Sequence, residues 1–466
     1  MNYRDYTMIT ADSRKVVPGA LFIAVRGYES DGHAYIQAAI DKGATGVVCE
    51  EIPDQVGNDV EVEVVENSRK ALAMIADEYY GHPSGKLTLV GITGTNGKTT
   101  TVTLLYRLFK KMGYSCGLLS TIANYVDDER LETTNTTVDP ITLNSLLARM
   151  VDKGCEYCFM EVSSIGVEQD RVTGLEFAMG IFSNLTHDHL DYHKTFAEYL
   201  RCKKLFFDNL TASAVALINT DDKHGSVMVQ NTAAKVVSYS VRGLADHTAR
   251  VMEQSFDGML LRIDGTEVWC RLIGEHNAYN LLAIYSAAVC LGAKADETLI
   301  ALSTLEPAPG RLENINGPRG LSVIIDYAHT PDAMENVLKT LRAIAPKRQL
   351  ICLFGCGGDR DRTKRPEMAR IAENLADRLV ITSDNPRTED PEAIIEEIKS
   401  GLTTKGLAKS IVISDRREAI RTAILTAPDS ATILLAGKGH ETYQIIGREK
   451  RHFAEKEIVT ETFNLM

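Results

Sequence analysis

The chain has 466 residues, and its 51 Lys and Arg against 63 Asp and Glu give a formal net charge of −12. At roughly 100 to 200 residues per domain, this length predicts two to four domains. The acidic balance argues against a general binder of nucleic acid or of anionic membranes, because those partners select clustered Lys and Arg. Any anionic ligand must therefore be met by a few local cations.

The composition also bears on the compartment. Nine cysteines are too few and too scattered for a disulfide scaffold, and the first residues lack the apolar stretch of a secretion signal. No apolar run approaches the ~18 residues that a membrane helix needs. These features predict a cytoplasmic protein without a membrane partner.

The predicted elements begin with a small α/β domain over residues 1–87. Strands at 20–25 and 45–50 flank a helical stretch, and a Pro/Gly/Ser-rich segment at 82–86 ends the domain. A central domain over 88–305 and a C-terminal domain over 306–466 follow, with a Pro-rich break between them. In both, strands alternate with helices at a spacing that favours parallel sheets.

A Gly- and Thr-rich loop lies between the first apolar strand of the central domain and an amphipathic helix. Glycines let backbone N–H groups approach phosphate oxygens, and the helix N-terminus adds positive potential. Lys98 is placed to reach the β and γ phosphates, and the Thr99 hydroxyl is placed to hold Mg²⁺. The generic pattern has Gly five residues before Gly97, where this chain has Ile92, but the order of strand, loop, lysine and helix still predicts an ATP site. Its residues are Gly94, Thr95, Asn96, Gly97, Lys98, Thr99 and Thr100.

With this loop assigned, the fold class of the whole chain can be predicted. It is α/β with three domains: a small N-terminal α/β domain, a central P-loop mononucleotide-binding domain with a parallel sheet, and a C-terminal Rossmann-like domain. A Gly/Thr turn that only caps a helix is the structural alternative to the phosphate loop.

Two features predict metal ligands near the loop. Glu161 ends an apolar strand, at the sheet edge where nucleotide-bound Mg²⁺ sits in such folds. Five potential ligands occur within seven residues at 187–193, after another apolar strand. Mg²⁺ prefers oxygen ligands whereas three histidines suit Zn²⁺ better, so the residues alone leave the ion open.

Other polar positions are interpreted in two ways. Cys155 and Cys158 have the spacing of a zinc or redox pair but lead into a strand, where residues at odd offsets face opposite sides, so we interpret them as structural. Arg360 and Arg387 each follow a strand of the C-terminal domain, at the edge where open α/β sheets bind ligands. Because a guanidinium pairs bidentately with carboxylates, these two arginines predict an anionic ligand, with surface arginines as the alternative.

The motifs, taken in order, resemble those of the Mur ligase family over nearly the whole chain. They include DSRKVVPGALFIAVRG, GITGTNGKTTT, NTTVDP, MEVSS, NLTHDHLDYH, PGRLE, DYAHTPDA, GGDRDRTKRP, DNPR and AGKGHE. The closest resemblance is to members that add the third amino acid of the peptidoglycan stem. It implies an ATP-dependent amide synthesis, in which ATP phosphorylates a carboxylate and an amine attacks the acyl phosphate.

The resemblance also implies roles for individual residues. The implied catalytic residues are Lys98, Glu161, His189 and Lys203. The implied Mg²⁺ ligands are Thr99, Glu161, His189 and Lys203 in carbamylated form. Carbamylation converts a cation that repels Mg²⁺ into an anion that binds it, and Lys204 is the less favoured candidate. Further positions near ATP are Asn277, Asn280, Arg311 and Asp326.

The implied substrates are UDP-N-acetylmuramoyl-L-alanyl-D-glutamate and a diamino acid. The implied contacts to the sugar nucleotide are Ser13, Tyr28, Glu29, Ser30, Asn135, Thr136, Thr137, Ser163, Gln169 and Arg171. The implied contacts to the diamino acid are Arg360, Asp384, Asn385, Pro386, Arg387, Gly437 and Glu441. Arg387 favours meso-2,6-diaminopimelate, because a guanidinium pairs with its far carboxylate but repels the far ammonium of lysine.

One position departs from the family pattern. Ile165 follows MEVSS, where the family commonly has His or Gln, so that local polar contact is not expected here. The alternatives are the same ligase using lysine or lanthionine, a non-catalytic nucleotide-binding regulator on this fold, and a folylpolyglutamate synthase. The N-terminal domain and the DNPR loop argue against the last. A monomer without a nucleic-acid partner is expected.

Overall fold

The computed structural model describes residues 1–27, 30–51, 59–133, 135–186 and 190–466. Contacts divide the chain into two compact units, one formed by 1–248 with 279–302 and the other by 249–278 with 303–466. Within the described residues, no helix has the length and apolar character needed to cross a membrane. The predicted α/β class is confirmed, whereas the domain boundaries at 87/88 and 305/306 stay predictions.

The first unit opens with a four-stranded parallel sheet in the order β1-β2-β3-β4. Its elements are β1 (Ile9–Thr10), β2 (Ala20–Ile23), α1 (Ile36–Asp41), β3 (Ala44–Cys49), β4 (Glu61–Val64) and α2 (Ser68–Tyr79). Side chains alternate across a strand, so Phe22 packs with α1 on one face while Leu21 and Ile23 pack with α2 on the other. Both faces of the sheet are therefore buried.

The rest of the first unit is built on six parallel strands in the order β12-β11-β10-β5-β9-β6, extended by the antiparallel strands β7 and β8. The strands are β5 (Thr88–Thr93), β6 (Cys116–Leu119), β7 (Asn124–Val126), β8 (Glu129–Leu131), β9 (Tyr157–Glu161), β10 (Met179–Phe182), β11 (Val215–Asn219) and β12 (Lys235–Ser240). The helices are α3 (Lys98–Lys111), α4 (Pro140–Asp152), α5 (Ser164–Glu168), α6 (Leu190–His193), α7 (Phe196–Asp208) and α8 (Gly225–Met228). Because β5 lies between β9 and β10, the loop after β5 has a strand end on either side.

Five more elements lie where the chain passes into the second unit, back to the first and again into the second. They are β13 (His247–Ser255), β14 (Gly258–Ile263), β15 (Thr266–Cys270), α9 (Glu275–Cys290) and α10 (Ala295–Ser303). Strand β14 pairs antiparallel with both β13 and β15.

The second unit contains a six-stranded sheet in the order β16-β17-β21-β18-β19-β20, parallel except for the edge strand β16. Its strands are β16 (Glu313–Asn316), β17 (Ser322–Asp326), β18 (Leu350–Phe354), β19 (Arg378–Ile381), β20 (Ser410–Val412) and β21 (Thr432–Ala436), and the hairpin is β22 (Tyr443–Ile446) with β23 (Glu449–His452). Its helices are α11 (Pro331–Ile344), α12 (Lys364–Leu375), α13 (Pro391–Lys399), α14 (Thr404–Ala408), α15 (Arg416–Leu425) and α16 (Glu455–Asn464).

Helices cover both faces of this sheet. Residues Val323 and Ile325 of β17 pack in the core with α15 and α16, whereas Ile324 packs in the core with α11, α12 and α13. Strands buried on both faces read as continuous apolar runs, which is how they appear in the sequence. The parallel arrangement brings the carboxyl ends of β17, β21, β18 and β19 to one edge, and the loops with candidate site residues leave from there.

Candidate functional site

The loop between β5 and α3 requires glycine at two positions. Gly94 and Gly97 have φ values of 154° and 89°, which side-chain-bearing residues rarely adopt. A Cβ on Gly94 would collide with Ser183 Oγ, and a Cβ on Gly97 would lie 2.6 Å from Asn280 Oδ1. The absent side chains let the backbone of the loop run close to its neighbours at the N-terminus of α3, the kind of position where anions bind.

Two lysines point at this loop from different helices. Lys98 Nζ donates to the carbonyls of Gly94 and Thr95, both at 2.9 Å, and Lys203 Nζ donates to the same Gly94 carbonyl at 2.8 Å. Lys203 is 1 % exposed. Its neighbour Lys204 instead pairs with an acid on its own helix at 2.6 Å. Lys203 rather than Lys204 therefore belongs to the loop.

Neutral side chains after β10 brace the loop. Asn184 binds Asn96 in both directions, since its Oδ1 accepts from the backbone N at 2.9 Å and its Nδ2 donates to the carbonyl at 3.0 Å. Ser183 Oγ donates to the Asn96 carbonyl at 2.7 Å, and the hydroxyls of Thr95 and Tyr199 lie 3.1 Å apart. The sequence analysis did not single out Ser183 or Asn184 as loop contacts. The pairing of β5 with β10 would have been needed to find them.

Glu161 reaches the same sheet edge from β9. It pairs in register with Ile92 of β5, its carboxylate is 1 % exposed, and Oε1 accepts from the Thr121 N–H at 2.8 Å. In the part of the chain that the structure describes, this carboxylate has no cationic partner, and a buried unpaired charge is costly. Thr99 lies nearby in the first turn of α3. These oxygen donors fit a hard divalent cation such as Mg²⁺.

The histidine motif at 187–193 is only partly within the described residues. His189 lies outside the described residues. His193, from the same motif, is buried, and its Nε2 lies 2.9 Å from Ser164 Oγ. Among the described residues, no group of three or more His, Cys, Asp and Glu side chains is arranged to hold a metal ion.

Four residues expected at the sugar nucleotide converge in the first unit. Arg171 Nη1 donates to the Thr137 carbonyl at 2.6 Å, and its Nη2 and Nε donate to Gln169 Oε1 at 2.6 and 3.1 Å. Ser163 Oγ caps α5 by accepting from the Gly166 N–H at 3.0 Å. The structure therefore groups an arginine and several polar side chains at the ends of β9 and α4.

The other expected contacts to the sugar nucleotide are more dispersed. Thr136 Oγ1 accepts from Thr121 Oγ1 at 3.1 Å, so it lies on the Glu161 side of the group. Asn135 and Ser30 are exposed, and Ser13 is half-buried in the turn after β1. Tyr28 and Glu29 lie outside the described residues.

A buried hydrogen-bonded triad joins two loops of the second unit. Lys438 Nζ donates to Asn385 Oδ1 at 3.1 Å and to Glu441 Oε2 at 2.9 Å, and Asn385 Nδ2 donates to that same carboxylate oxygen at 2.9 Å. Lys438 is fully buried. It was not among the predicted site residues, although it holds two that were. Glu441 is thus already partly neutralised by a cation of the protein itself.

Arg387 and Arg360 both lie close to one glycine, Gly357. Arg387 Nη1 donates to the Gly358 carbonyl at 2.8 Å. A Cβ on Gly357 would lie 2.9 Å from Arg387 Nη1 and 3.7 Å from Arg360 Cγ. Arg360 is exposed, so its guanidinium is accessible to a ligand. The two predicted arginines are therefore brought together, as an anion site requires.

Asp384 and Gly437 complete this edge. Gly437 has a φ of 115°, and a Cβ there would lie 2.5 Å from Asp384 Oδ2. The carbonyl of Asp384 accepts from Gln444 Nε2 at 2.6 Å. Pro386 is packed so closely that a Cβ on Gly358 would collide with its carbonyl. The loops after β18, β19 and β21 are in direct backbone contact.

A buried arginine, Arg416, anchors the loops that follow β19 and β21. Arg416 Nη1 donates to the Ser383 carbonyl at 3.3 Å and Nη2 donates to the Ala436 carbonyl at 2.8 Å. Its charge is balanced by Glu455 of α16, which lies 2.8 Å away, and both side chains are fully buried. The loops containing Asp384 and Gly437 therefore start from one fixed point.

The positions expected near the nucleotide divide between the two units. In the first, Asn280 lies against Gly97. In the second, Asp326 is buried and accepts from the N–H groups of Leu312 and Ala328, both at 2.8 Å, and its burial raises the carboxyl pKa. Arg311 stacks on the Tyr327 ring at 4.9 Å, and its buried Nε has no partner among the described residues. Asn277 Nδ2 donates to the Ile273 carbonyl at 2.7 Å.

The cysteines bear no sign of metal or redox chemistry. All nine are free thiols, and burial raises the pKa of both Cys155 and Cys158. Burial also raises the pKa of Cys352 and of Cys356 to about 12. Such thiols stay protonated at neutral pH and are poor nucleophiles and ligands, which supports the structural interpretation.

Comparison with known families covers most of the chain. Three family profiles match in order: "Mur ligase family, catalytic domain" over residues 5–80, "Mur ligase middle domain" over 92–288 and "Mur ligase, glutamate ligase domain" over 310–439.

Individual relatives match over nearly their full length. A protein of Phocaeicola vulgatus named UDP-N-acetylmuramoyl-L-alanyl-D-glutamate--2,6-diaminopimelate ligase is 53 % identical over 98 % of this chain and 94 % of its own length. A protein of Bacteroides fragilis with the same name is 52 % identical over 99 % of this chain and 95 % of its own. A solved structure of a ligase with that name superimposes with a TM-score of 0.73 at 32 % identity, covering 99 % of this chain and 95 % of the other.

Proposed function

Because the chain belongs to the Mur ligase family, we propose that it is an ATP-dependent ligase that adds meso-2,6-diaminopimelate to UDP-N-acetylmuramoyl-L-alanyl-D-glutamate in peptidoglycan biosynthesis. One observation carries the proposal: relatives named for this activity match 98–99 % of the chain at 52–53 % identity. The match includes both the phosphate loop and the loops with Arg360 and Arg387. Roles in cell shape and division follow from the product.

The reaction proceeds in two steps. The glutamate carboxylate attacks the γ-phosphorus of ATP, forming an acyl phosphate and releasing ADP. The amine of the diamino acid then attacks the acyl carbon, and phosphate leaves as the amide bond forms. Because positioning and charge neutralisation account for most of the acceleration of phosphoryl transfer, the protein needs cations at the loop more than it needs a nucleophile.

Lys98 supplies one such charge. Its ammonium donates to loop carbonyls at 2.9 Å, which are weaker acceptors than phosphate oxygens, so the entry of a triphosphate shifts it toward the β and γ phosphates. Bound Mg²⁺ supplies further neutralisation of the phosphate charge. Thr99 and Glu161 would hold it, with His189 as the third ligand implied by the resemblance.

Lys203 is proposed to carry a carbamate. Its Nζ is buried beside the Gly94 carbonyl, 2.8 Å away, on the loop that would cradle the phosphates. A carbamate formed from CO₂ and the neutral amine is an anion with two oxygens, which suits a hard divalent cation. Intact mass measurement with and without bicarbonate tests for the adduct. Its absence from protein purified in bicarbonate would contradict this assignment.

Arg360 and Arg387 are proposed to read the diamino acid. Both side chains lie close to Gly357 at one sheet edge, and a guanidinium has several N–H donors that suit carboxylates. Glu441, held by Lys438 and Asn385, offers an acceptor for an ammonium group. A zwitterion with a carboxylate at its far end satisfies both kinds of group.

The compartment and the assembly state are part of the proposal. The reaction uses ATP and a nucleotide-linked precursor, so we place it in the cytoplasm. The phosphate loop lies within one unit and the loops with Arg360 and Arg387 lie within the other, so a single chain suffices to form each of them.

One assay tests the proposal. The purified protein is mixed with ATP, Mg²⁺ and the UDP-muramoyl dipeptide, and phosphate release is measured with diaminopimelate, lysine and lanthionine in parallel. We expect release with meso-diaminopimelate. Release with lysine or lanthionine alone would change the substrate but keep the enzyme. No release with any amine, while ATP still binds, would favour a nucleotide-binding regulator.

A further inference from the structure

A fully buried arginine that the proposed mechanism does not use lies beneath the diamino-acid loops. Arg365, on the first turn of α12, has 0 % of its side chain exposed. Removing a guanidinium from water is costly unless it is paired and hydrogen-bonded on most sides. The partners of Arg365 therefore show what it does.

Arg365 binds two acids and one carbonyl. Its Nη1 and Nη2 donate to the two oxygens of Glu389 at 3.0 and 2.9 Å, a bidentate pair. Nη1 also donates to Glu397 Oε2 at 2.7 Å, and Nη2 donates to the Gly357 carbonyl at 3.1 Å. The guanidinium thus joins α13, the segment after the DNPR loop and the loop after β18.

The carbonyl that Arg365 holds belongs to Gly357, the residue close to both Arg360 and Arg387. A Cβ on Gly357 would lie 2.9 Å from Arg387 Nη1 and 3.7 Å from Arg360 Cγ. A shift of this peptide would therefore move one arginine relative to the other. A far carboxylate is recognised through this spacing, because bidentate pairing depends on the placement of both partners.

Glu389 also connects Arg365 to neighbouring residues through further hydrogen bonds. It accepts from the Asp359 N–H at 2.6 Å, and Asp359 Oδ1 in turn accepts from Thr388 Oγ1 at 2.7 Å. Gly358 N donates to the Asn385 carbonyl at 2.9 Å. Arg365 and Glu389 thus lie under a hydrogen-bonded seam between segments 357–362 and 384–389.

We propose that Arg365 is a positioning residue that fixes the spacing of Arg360 and Arg387 and thereby sets the preference for a diamino acid with a carboxylate at its far end. This inference rests on the proposed function for the identity of the ligand. A residue that only stabilises the fold would affect all amines alike. A residue that sets this spacing affects diaminopimelate more than lysine.

The chain offers a matched control on the same loop. Arg362 also binds Glu389, at 2.7 Å, and approaches Glu397 at 3.5 Å, but 61 % of its side chain is exposed. Arg365→Met and Arg362→Met therefore remove the same kind of group from the same two acids. Only the first leaves the Gly357 carbonyl without its donor.

The two variants and the wild type are compared in steady-state assays with meso-diaminopimelate and with lysine. For Arg365→Met we expect the KM for diaminopimelate to rise about tenfold or more, the preference over lysine to fall by a similar factor, and the KM for ATP to stay within about twofold. For Arg362→Met all values should stay within about twofold, since exposed pairs contribute little. Equal losses with both amines would overturn the proposal.

Hydrogen exchange separates this inference from the proposed function. Faster amide exchange over 357–362 and 384–389 is expected in Arg365→Met and not in Arg362→Met. If the wild type uses no diamino acid, the proposed function fails, and exchange alone decides whether Arg365 orders the loops. Unchanged exchange in both segments would contradict the positioning role.

A second variant keeps the proposal testable if Arg365→Met does not fold. Glu389→Gln keeps the shape and leaves Arg365 in place, but replaces its bidentate partner by an amide that can satisfy only one of its donors. If Arg365→Met does not fold, Glu389→Gln should still show the selective loss with diaminopimelate. An unchanged preference in a folded Glu389→Gln protein would also overturn the proposal.

Discussion

The phosphate loop and the diamino-acid loops are both sheet-end sites, but they are stabilised in different ways. The first is shaped by two glycines and braced by neutral groups such as those of Ser183 and Asn184. The second is underlain by buried ion pairs, with Arg365 on Glu389 and Arg416 on Glu455. Neutral side chains that hydrogen-bond to the backbone stabilise the phosphate loop. Buried arginines paired with acids stabilise the diamino-acid loops.

The difference follows from what each site would bind. A triphosphate brings several negative charges, so cations beside the loop should be able to exchange their current acceptors for phosphate oxygens at low cost. A zwitterionic amino acid brings little net charge and must be recognised by shape. Compensating Arg365 and Lys438 internally leaves Arg360 and Arg387 as the charges that discriminate.

The largest effect should come from the loop lysine. Lys98→Met removes the ammonium closest to the expected phosphates, so turnover should fall about a thousandfold or more, measured as phosphate release under saturating substrates. Lys110→Met is the control, since Lys110 lies on the same helix but pairs with Asp127 and Asp128 on the surface. Similar losses in the two variants would show that α3 rather than the charge is affected.

A somewhat smaller loss is expected at the second lysine. Lys203→Ala should lose about a hundredfold in turnover, and added bicarbonate should not restore it because no amine remains to be carbamylated. Lys204→Ala is the matched control, because Lys204 is adjacent but pairs with Asp208 at 2.6 Å. Near-normal activity in Lys203→Ala would exclude Lys203 as a metal ligand.

The diamino-acid site should respond selectively rather than globally. Arg387→Ala should lower kcat/KM for diaminopimelate by about 10- to 100-fold, the range expected for one charge-assisted pair, and should leave the KM for ATP unchanged. Lysine should become a relatively better substrate. An unchanged kcat/KM for diaminopimelate in Arg387→Ala would show that Arg387 does not read the far carboxylate.

The smallest effect is on stability in acid. The guanidiniums of Arg365 and Arg362 lower the pKa of Glu389 from its ordinary 4.5 to about 2. A lowered carboxyl pKa stabilises the fold fully above pH 4.5, and the contribution is lost as the pH falls from 4.5 towards 2. The gap in melting temperature between the wild type and Glu389→Gln should therefore narrow over that range. A Glu396→Gln control, whose acid pairs with Lys399 on the surface, should show a small gap at every pH.

Much of the architecture was predictable because its signals are local. Apolar runs such as those at 88–93 and 350–354 became β5 and β18, and the loop before α3 was recognised from the order of its residues. Short elements such as β7 and β8 were missed, because three-residue strands carry no clear period. The 187–189 segment lies outside the described residues, so its part in the metal site stays a prediction.

The site residues also divide into those with a local sequence signal and those without one. Lys98, Arg360 and Arg387 follow strands, and their positions in the sequence are enough to predict them as site residues. Lys438 and Arg365 were missed, because a single buried cation looks like any surface Lys or Arg until its partners are known. Those partners, Asn385 and Glu389, come from other loops, and only the sheet order brings them together.

Helix α16 supplies an acid that supports the loops proposed to bind the diamino acid. Glu455 neutralises Arg416, which in turn holds the carbonyls from which the Asp384 and Gly437 loops begin. A truncation before residue 455 would strip that neutralisation and leave a buried cation at the root of both loops. Loss of α16 should therefore weaken binding at the loops proposed for the diamino acid, in addition to uncovering the sheet face on which the helix packs.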